Sequence, residues 1–178
     1  TLDANAELAN SFSKNQKLGD MERVATTVYP ADRPIELVNA YRNYTDFTNY
    51  VRAYNEVRSI QLFTDNSTLL NNLQFMNADR EIQATNWYKQ AMQQRSIFWM
   101  YIDDMNNPRL ENNKQLSLVR QIFFPNTGKR SVLVIQINTD CLNQLLSQEP
   151  FDTMVADKDG YIVAAKNPSS IGKTLEEM

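Results

Sequence analysis

Five side chains in the middle of the chain have the types and spacing that suit recognition of a small molecule. Trp87 and Tyr88 are adjacent in a stretch with helical periodicity. Trp99 and Tyr101 alternate along a strand-like run, and Arg120 lies in the middle of the next run. Aromatic walls with one or two fixed charges are typical of ligand-binding pockets. We therefore expect these five residues to converge on the face of a sheet that the N-terminal helices leave uncovered.

Arg120 is the most informative of the five, because leucine and isoleucine flank it on its own face of the strand. A charge in such a position must be paired or must meet an anionic group. Two interpretations are open for it: pairing with Asp103 or Asp152, or contact with a ligand. Trp99 and Tyr101 have an alternative interpretation as ordinary core residues.

Catalytic and metal-binding chemistry is poorly represented. The sequence has no histidine, which is the commonest general base and metal ligand, and Cys141 is its one cysteine. Adjacent Asp103 and Asp104 would point to opposite faces of a strand. Asp157 and Asp159 flank a turn that lacks the other ligands of a calcium loop. We expect no catalytic residues, no metal and no cofactor, so this segment is not predicted to be an enzyme.

Length and charge narrow the class of protein further. A chain of 178 residues can form one core of good size, or one module and part of another. A net charge of −3 with scattered basic residues argues against a nucleic-acid partner. No run approaches the roughly 20 apolar residues of a membrane helix. Both ends interrupt apparent elements, and we expect a segment of a longer protein.

Periodicity predicts a small antiparallel sheet with helices packed against it, and places the five residues on these strands and helices. Residues 1–29 have the pattern of one helix, and Asp32 can cap a second helix that continues to residue 54. Asp79 can cap a third helix, which continues to residue 94. The strand-like runs are 57–64, 96–103, 116–124 and 131–138.

The last of these runs is apolar on both faces, which predicts a central strand. Two further runs, 151–156 and 161–165, are joined by a turn and predict a hairpin of a second unit. Two interpretations remain for the first helix. It packs along its own domain, or it continues from a membrane span and pairs with its copy in a dimer.

The order of these motifs is more specific than any one of them. A helical entry precedes the first strand, the Trp-Tyr helix precedes the strand with Trp99, and a hairpin with an Asp-Lys-Asp-Gly turn closes the series. The motifs are residues 59–64, 86–91, 116–120, 132–135, 155–164 and 171–173. From residue 57 onward, the chain resembles the extracytoplasmic double Cache sensor domain of YesM-type sensor histidine kinases from Gram-positive bacteria.

The resemblance implies an α+β fold, in which a PAS-like (Cache) antiparallel sheet carries long N-terminal helices. It implies N-terminal helices over 1–56, a membrane-distal Cache module over 57–148, and the opening hairpin of a membrane-proximal Cache module over 149–178. The implied function is signal sensing at the extracellular face of the cell membrane, for a two-component sensor histidine kinase. Such a domain binds a small molecule or a ligand-loaded partner, and forms a homodimer through the N-terminal helix.

One departure from the family bears on the ligand. Double Cache domains that bind amino acids have an arginine two residues before the Trp-Tyr pair, where this chain has Thr85. The resemblance also implies that a carbohydrate, or a solute-binding protein that presents one, is as plausible as a free metabolite, since sensors of this type often accompany carbohydrate uptake systems. Other functions remain open: the ectodomain of a chemoreceptor or of a cyclic-dinucleotide enzyme, or a surface protein–protein interaction module without a small-molecule pocket.

Overall fold

The computed structural model describes residues 2–12, 15–103, 114–156, 160–171 and 173–177. Within these ranges, helices pack on both faces of a five-stranded sheet, and a two-stranded sheet follows. The helices are α1 Leu2–Ser11, α2 Asn15–Thr26, α3 Pro34–Asn43, α4 Asp46–Ala53, α5 Arg80–Ala84, α6 Asn86–Gln93 and α7 Thr139–Ser147. The strands are β1 Val57–Thr64, β2 Phe75–Asn77, β3 Phe98–Asp103, β4 Lys114–Phe123, β5 Arg130–Ile137, β6 Met154–Ala156 and β7 Ile162–Ala165.

The prediction of a single helix over residues 1–29 is wrong, because the structure has two helices there. The Ser11 hydroxyl donates to the Leu8 carbonyl at 2.7 Å, where α1 ends. Such a side-chain bond competes with the helical backbone bonds. Phe12 follows, and its ring packs edge-on against Phe47 with the centroids 5.1 Å apart. Phe12 is therefore held in the core just after α1 ends, where the sequence contains neither proline nor glycine.

The apolar stripe of α1 and α2 packs inside the protein's own core. Phe12, Met21, Val24 and Ala25 are all buried in the cluster that lies against the sheet. This arrangement agrees with the interpretation of a helix packed along its own domain. Pairing with a second copy stays a prediction.

The second predicted helix is also divided. α3 ends at Asn43 and α4 begins at Asp46, with Tyr44 between them packed edge-on against Phe75 at 5.1 Å. The residue before α3 is Arg33, whose side chain makes no capping hydrogen bond, so the expected cap at Asp32 is wrong. As at Phe12, a buried aromatic residue occupies the break.

The third predicted helix begins where expected and is divided at Thr85. Asp79 caps α5 by accepting two backbone N–H bonds, each 3.0 Å long. Thr85 then caps α6, since its hydroxyl accepts the backbone N–H of Tyr88 at 3.4 Å. The cap at Thr85 fixes where α6 starts, and so fixes the direction of Trp87 and Tyr88.

The main sheet has the order β2-β1-β5-β4-β3. β5 is the central strand and pairs antiparallel with both β1 and β4, β3 pairs antiparallel with β4, and β2 runs parallel to β1. The predicted antiparallel sheet and its central strand are therefore confirmed. The β4–β5 turn contains Gly128 at φ 68°, a conformation that glycine adopts without strain.

Alternate residues of each strand divide between two faces. We call the face that packs against α1–α4 the N-helix face, and its strand residues include Ile60, Leu118, Leu133 and Ile135. We call the opposite face the α6 face. Its apolar strand residues include Phe63, Val119, Val132 and Val134, which pack with side chains of α6. The N-helix face forms the larger of the two apolar clusters.

The second sheet is the hairpin of β6 and β7, which packs on α7 through Leu146 and Ala164. Its strands agree with the predicted hairpin, whereas Asp157 and Asp159 lie outside the described residues, as does Asp104. The domain boundaries at residues 56 and 148 stay predictions. No described helix combines the length and apolarity that a membrane span requires.

Candidate ligand-binding site

The structure does not bring the five predicted site residues together on one face. Trp87 and Tyr88 lie in the apolar cluster of the α6 face. Trp99 and Tyr101 pack against the cluster of the N-helix face. Arg120 is opposite Leu133 in the register of β4 and β5, which also places it on the N-helix face. The expected convergence is therefore wrong, whereas a ligand-binding role for each residue stays a prediction.

The Trp-Tyr pair forms an aromatic layer between α6 and the sheet. The ring of Trp87 meets Phe63 edge-on at 5.0 Å and Tyr88 at 5.7 Å. The side-chain amide of Gln121 donates to the carbonyls of Ala91 and Met92, at 3.2 and 3.0 Å, and so ties the end of α6 to β4. These contacts hold the aromatic pair in a fixed position over the sheet.

Tyr88 also lines a cleft beside α6. The cleft has a volume of about 450 Å³, and Asp65, Gln83, Met92 and Lys129 contribute to its wall. Burial, and secondarily the negative charge of Asp65, raises the pKa of the Tyr88 phenol. Tyr88 is therefore a neutral hydroxyl at ordinary pH, able to donate as well as accept a hydrogen bond.

A row of polar side chains crosses the α6 face beyond this aromatic layer. Ser59, Gln136 and Ser117 are neighbours in the register of β1, β5 and β4. Ser59 Oγ donates to Gln136 Oε1 at 2.9 Å, and Ser117 Oγ donates to the Gln115 carbonyl at 2.9 Å. Gln136 and Ser117 place buried amide and hydroxyl groups beside the apolar residues of the α6 face.

Gln136 is the residue in this row that most needs a partner. Its side chain is 0% exposed, and Nε2 has no hydrogen-bond partner within the part of the chain that the structure describes. Leaving a buried donor unpaired costs about 1–3 kcal/mol. A ligand that accepts a hydrogen bond from Nε2 would remove this penalty.

Our sequence reasoning missed Gln136 and its neighbours. The available signal was the presence of serine and glutamine at 115, 117, 121 and 136, on alternate positions of strands whose other residues are mostly apolar. Polar residues at this spacing are normally interpreted as a solvent-exposed face. Only the position of α5 and α6 shows that this face is covered.

Trp99 and Tyr101 have surroundings typical of core residues. Trp99 is opposite Leu118 in the register of β3 and β4, and Tyr101 is opposite Leu116. The ring of Tyr101 lies 6.1 Å from that of Tyr161, which follows the β6–β7 turn. Tyr101 thus connects the main sheet to the hairpin that follows it.

Arg120 makes neither of the ion pairs that the sequence suggested. Its Nη1 donates to Oδ1 of Asn10 in α1, a neutral partner, and no ion pair with Asp103 or Asp152 occurs among the described residues. Its Nε is buried and has no partner within the described ranges. Removal from water lowers the pKa of the guanidinium below its usual value. The predicted pairing alternative is therefore wrong, and Arg120 retains a need for an anion.

The structure offers little for metal binding or covalent catalysis. No group of three or more His, Cys, Asp or Glu side chains with metal-binding geometry occurs in the described ranges. Cys141 is half-buried in α7. The groups available for recognition are aromatic rings, amides, hydroxyls and arginines, which suit binding of a small molecule.

The chain matches no protein-family model and no curated protein sequence. It does match solved structures of chemoreceptor domains. The ligand-binding domain of Campylobacter jejuni chemoreceptor Tlp3 with 4-methylisoleucine is 20% identical, with a TM-score of 0.54 over 94% of this chain and 65% of that one. The Pseudomonas aeruginosa PAO1 amino acid chemoreceptor PctC with GABA is 14% identical, with a TM-score of 0.59 over 99% of this chain and 72% of that one.

A third similar structure is the ligand-binding domain of Mlp24 with asparagine, 15% identical with a TM-score of 0.53, over 99% of this chain and 67% of that one. The chain spans about two thirds of the length of the Tlp3 domain, which it covers to 65%. At these identities the likeness shows the fold. The predicted PAS-like (Cache) fold class, with an antiparallel sheet and packed helices, is confirmed.

Proposed function

We propose that this chain is the ligand-sensing region of a membrane receptor and binds a small molecule outside the cytoplasm. The fold supports this proposal, because three solved domains with the same fold are ligand-binding domains, two of them named as chemoreceptors. Buried polar groups on the α6 face supply a second, independent argument. Function belongs to sites rather than folds, so the site decides what is sensed.

We place the ligand on the α6 face, between the aromatic layer of Trp87 and Tyr88 and the polar row at Gln136. The unpaired Nε2 of Gln136 carries this proposal. A binding surface that is mostly apolar, with a few fixed polar groups, is typical of small-molecule sites. Gln121 ties the β4 strand under this face to the end of α6.

The ligand we favour is neutral and rich in hydroxyl groups, as a carbohydrate is. The buried polar side chains of this face are amides and hydroxyls, and the one buried charged residue in the described chain is Glu22 of α2. Thr85 stands where amino-acid-binding Cache domains have an arginine. Nothing buried on this face therefore neutralises the carboxylate of an amino acid.

An amino acid is the second candidate, because the similar structures hold one or a close relative: 4-methylisoleucine, GABA and asparagine. In this case the ammonium and carboxylate would meet charged groups at the edge of the face. Asp65 and Lys129 in the cleft beside Tyr88 are such groups. The two candidates differ in whether affinity depends on Gln136 or on this charged pair.

A thermal-shift screen separates the candidates. A neutral monosaccharide and disaccharide panel is compared with a panel of the common L-amino acids, and a ligand at 100 times its Kd stabilises by about 2.7 kcal/mol. Gln136→Met removes the amide, and Gln144→Met is the matched control on the exposed side of α7. We expect a sugar to raise Tm in the wild type and in Gln144→Met, with a smaller or no rise in Gln136→Met.

Two results would contradict this assignment. A hit amino acid whose affinity falls with Asp65→Asn, and not with Gln136→Met, would favour the second candidate. A hit of either kind that is unaffected by both substitutions would place the ligand elsewhere. A surface interaction module without a small-molecule pocket would respond to neither panel.

The output of the receptor is a further part of the proposal. The order of motifs supports a two-component sensor histidine kinase, and the fold likeness supports a chemoreceptor at least as well. Either output requires that the ligand bind two conformations with different affinity. Sequencing the complete gene tests the choice: a histidine kinase module beyond a membrane span would support the first, and a methyl-accepting signalling helix bundle the second.

Dimer formation through the N-terminal helix also belongs to the proposal. Phe12, Met21 and Val24 are buried in the protein's own core, so the other side of α1 and α2 would form such a contact. Sedimentation of the isolated chain with and without the best-binding sugar measures this directly. A monomer under both conditions up to about 1 mM would contradict it for this segment.

A further inference from the structure

We propose that the open edge of β4 is a second binding site, for a small oxyanion with two or more negative charges. The ligand chemistry is that of a phosphate ester or a polycarboxylate. The site is separate from the proposed sugar site at Gln136, although Arg130 also lines the cleft beside Tyr88. The ligand contacts are made by three arginine side chains.

The edge is open because β3 is shorter than β4. The pairing of the two strands extends from Asp103 and Lys114 to Phe98 and Val119, and stops there. Beyond Val119, β4 pairs only with β5, up to Phe123. The end of β4, from Arg120 to Phe123, therefore has an edge that no described strand covers, and side chains from both faces of the sheet reach this edge.

A cleft of about 490 Å³ lies along this edge. This volume is within the range of small-molecule sites, about 300–1,000 Å³. Its walls come from the end of β4, the β4–β5 turn, the start of α2 and the segment before β3. The lining residues are Leu18, Arg95, Arg120, Gln121, Ile122, Phe123, Pro125 and Arg130.

The lining contains three arginines and no carboxylate, although the whole chain has a net charge of −3. Arg95 and Arg130 are exposed, and neither makes an ion pair within the described ranges. Like charges gathered around one cleft repel one another, although water and salt weaken the repulsion between exposed side chains. An anion in the cleft removes that repulsion and gains from all three charges.

Arg120 is the arginine of this group whose side chain is partly buried within the sheet. It is half-buried, it donates from Nη1 to the neutral Asn10, and its Nε has no partner among the described residues. A guanidinium has five donors in a planar fork, which matches the oxygens of phosphate and carboxylate. An oxyanion would therefore supply the acceptor that the surrounding side chains do not.

Glu22 of α2 lies near the β4–β5 turn, and its carboxylate already accepts hydrogen bonds from residues of that turn. Glu22 is 3% exposed, and its carboxylate accepts from Asn126 Nδ2 at 2.8 Å, and from Thr127 N and Oγ1 at 2.7 and 2.9 Å. These bonds fix the turn against α2. They also use the carboxylate that would otherwise be available to the arginines.

Calorimetric titration with inorganic phosphate, pyrophosphate and citrate tests the site, with sodium chloride at equal ionic strength as the salt control. We expect saturable binding of pyrophosphate, citrate or both, and the pattern distinguishes phosphate from carboxylate ligands. Arg120→Gln and Arg95→Gln should each weaken binding about tenfold or more, since charge-assisted hydrogen bonds are lost. Arg80→Gln, an exposed arginine at the start of α5, should change the Kd by less than about twofold.

Arg95 is exposed, so its variant tests the cleft even where Arg120→Gln destabilises the fold. The proposal is overturned when none of the three anions binds saturably. It is also overturned when the control Arg80→Gln weakens binding as much as Arg120→Gln and Arg95→Gln do. It stands or falls independently of the sensing site, because Gln136→Met should leave anion binding unchanged. Likewise, binding of a neutral sugar should not respond to Arg95→Gln.

Discussion

The two faces of the main sheet are made from alternate residues of the same strands, and they differ in the polarity of what they bury. The N-helix face meets four helices through the larger apolar cluster, in which aromatic rings such as Phe12, Phe47 and Phe75 interlock. The α6 face meets two short helices and buries Gln136 and Ser117 beside its apolar residues. Stability therefore comes mainly from the first face, whereas the second has the groups that recognition requires.

The difference teaches how one short sheet can serve two purposes. In a strand, side chains at i and i+2 share a face, so substitutions on one face leave the other chemically unchanged. Arg120 departs from the division between an apolar and a polar face, since it is a half-buried charged residue on the N-helix face. It lies at the place where β3 has ended and the face is open at its edge.

The largest expected effect comes from removing an aromatic ring from the N-helix face. Phe47 is 1% exposed and its ring centroid lies 5.1 Å from those of Phe12 and Tyr44. Phe47→Ala should lower the free energy of unfolding by about 3–5 kcal/mol, because it leaves a cavity. Urea denaturation measures the loss. Phe123→Ala, at a residue that is 53% exposed, is the control and should change stability by less than about 1 kcal/mol.

A hydroxyl on the same face should be dispensable. Tyr44 Oη is buried without a hydrogen-bond partner within the described ranges, so Tyr44→Phe should raise the free energy of unfolding by about 1 kcal/mol. Denaturation at neutral pH measures it, with Tyr54→Phe at an exposed tyrosine as the control. A loss of more than about 1 kcal/mol would show that the hydroxyl has a partner.

Two tyrosines, the buried Tyr44 and the half-buried Tyr41, predict how the free energy of unfolding depends on alkaline pH. Burial raises the pKa of Tyr44, and it raises the pKa of Tyr41 from 10.0 to about 12. The unfolded chain releases these protons near pH 10, while the folded chain retains them, so stability falls as pH rises above 10. Denaturation at pH 9, 10 and 11 measures the slope. Tyr44→Phe should make it shallower, and an unchanged slope would contradict the account.

On the α6 face, removal of a buried polar group should cost little in the free protein. Gln136→Met deletes an unpaired donor and one hydrogen bond from Ser59, two effects of opposite sign. We expect a change of less than about 1 kcal/mol in the free energy of unfolding, together with a lost response to ligand. A loss above about 2 kcal/mol would mean that Gln136 is a structural residue, and that the two faces do not differ as described.

The smallest effect is expected at the cap of α6. The Thr85 hydroxyl accepts the Tyr88 N–H at 3.4 Å, a long bond, so Thr85→Ala should lower stability by about 0.5 kcal/mol. Thr85→Ser retains the hydroxyl and serves as the control. Because this cap sets the start of α6, we expect sugar affinity to fall in Thr85→Ala and to be retained in Thr85→Ser.

The strands of the main sheet other than β2, and the central position of β5, could be predicted from the sequence. The run that became β5 is apolar on both faces, which located the centre of the sheet, and Asp79 was a recognisable cap. Alternation also separated Trp99 and Tyr101 correctly from Phe98 and Met100. These features depend on local pattern, and local pattern is what a sequence displays.

The sequence could not indicate which face the N-terminal helices cover. That choice depends on the long-range packing of rings such as Phe12 against Phe47. The three-arginine cleft was equally hidden, since it lies where the pairing of β3 with β4 ends at Phe98 and Val119. Arg120 itself was identifiable, because a charge in an apolar strand requires an explanation wherever the strand lies.

The two tryptophans of the chain provide the most direct test, since Trp87 lies on the α6 face and Trp99 packs on the N-helix face. Fluorescence of Trp99→Phe reports on Trp87 alone, and that of Trp87→Phe reports on Trp99 alone. Titration with the best-binding sugar of the panel should shift the emission of Trp87 saturably, with the wild-type Kd, and leave the emission of Trp99 unchanged. A saturable shift of Trp99 without one of Trp87 would contradict the assignment of ligand sensing to the α6 face.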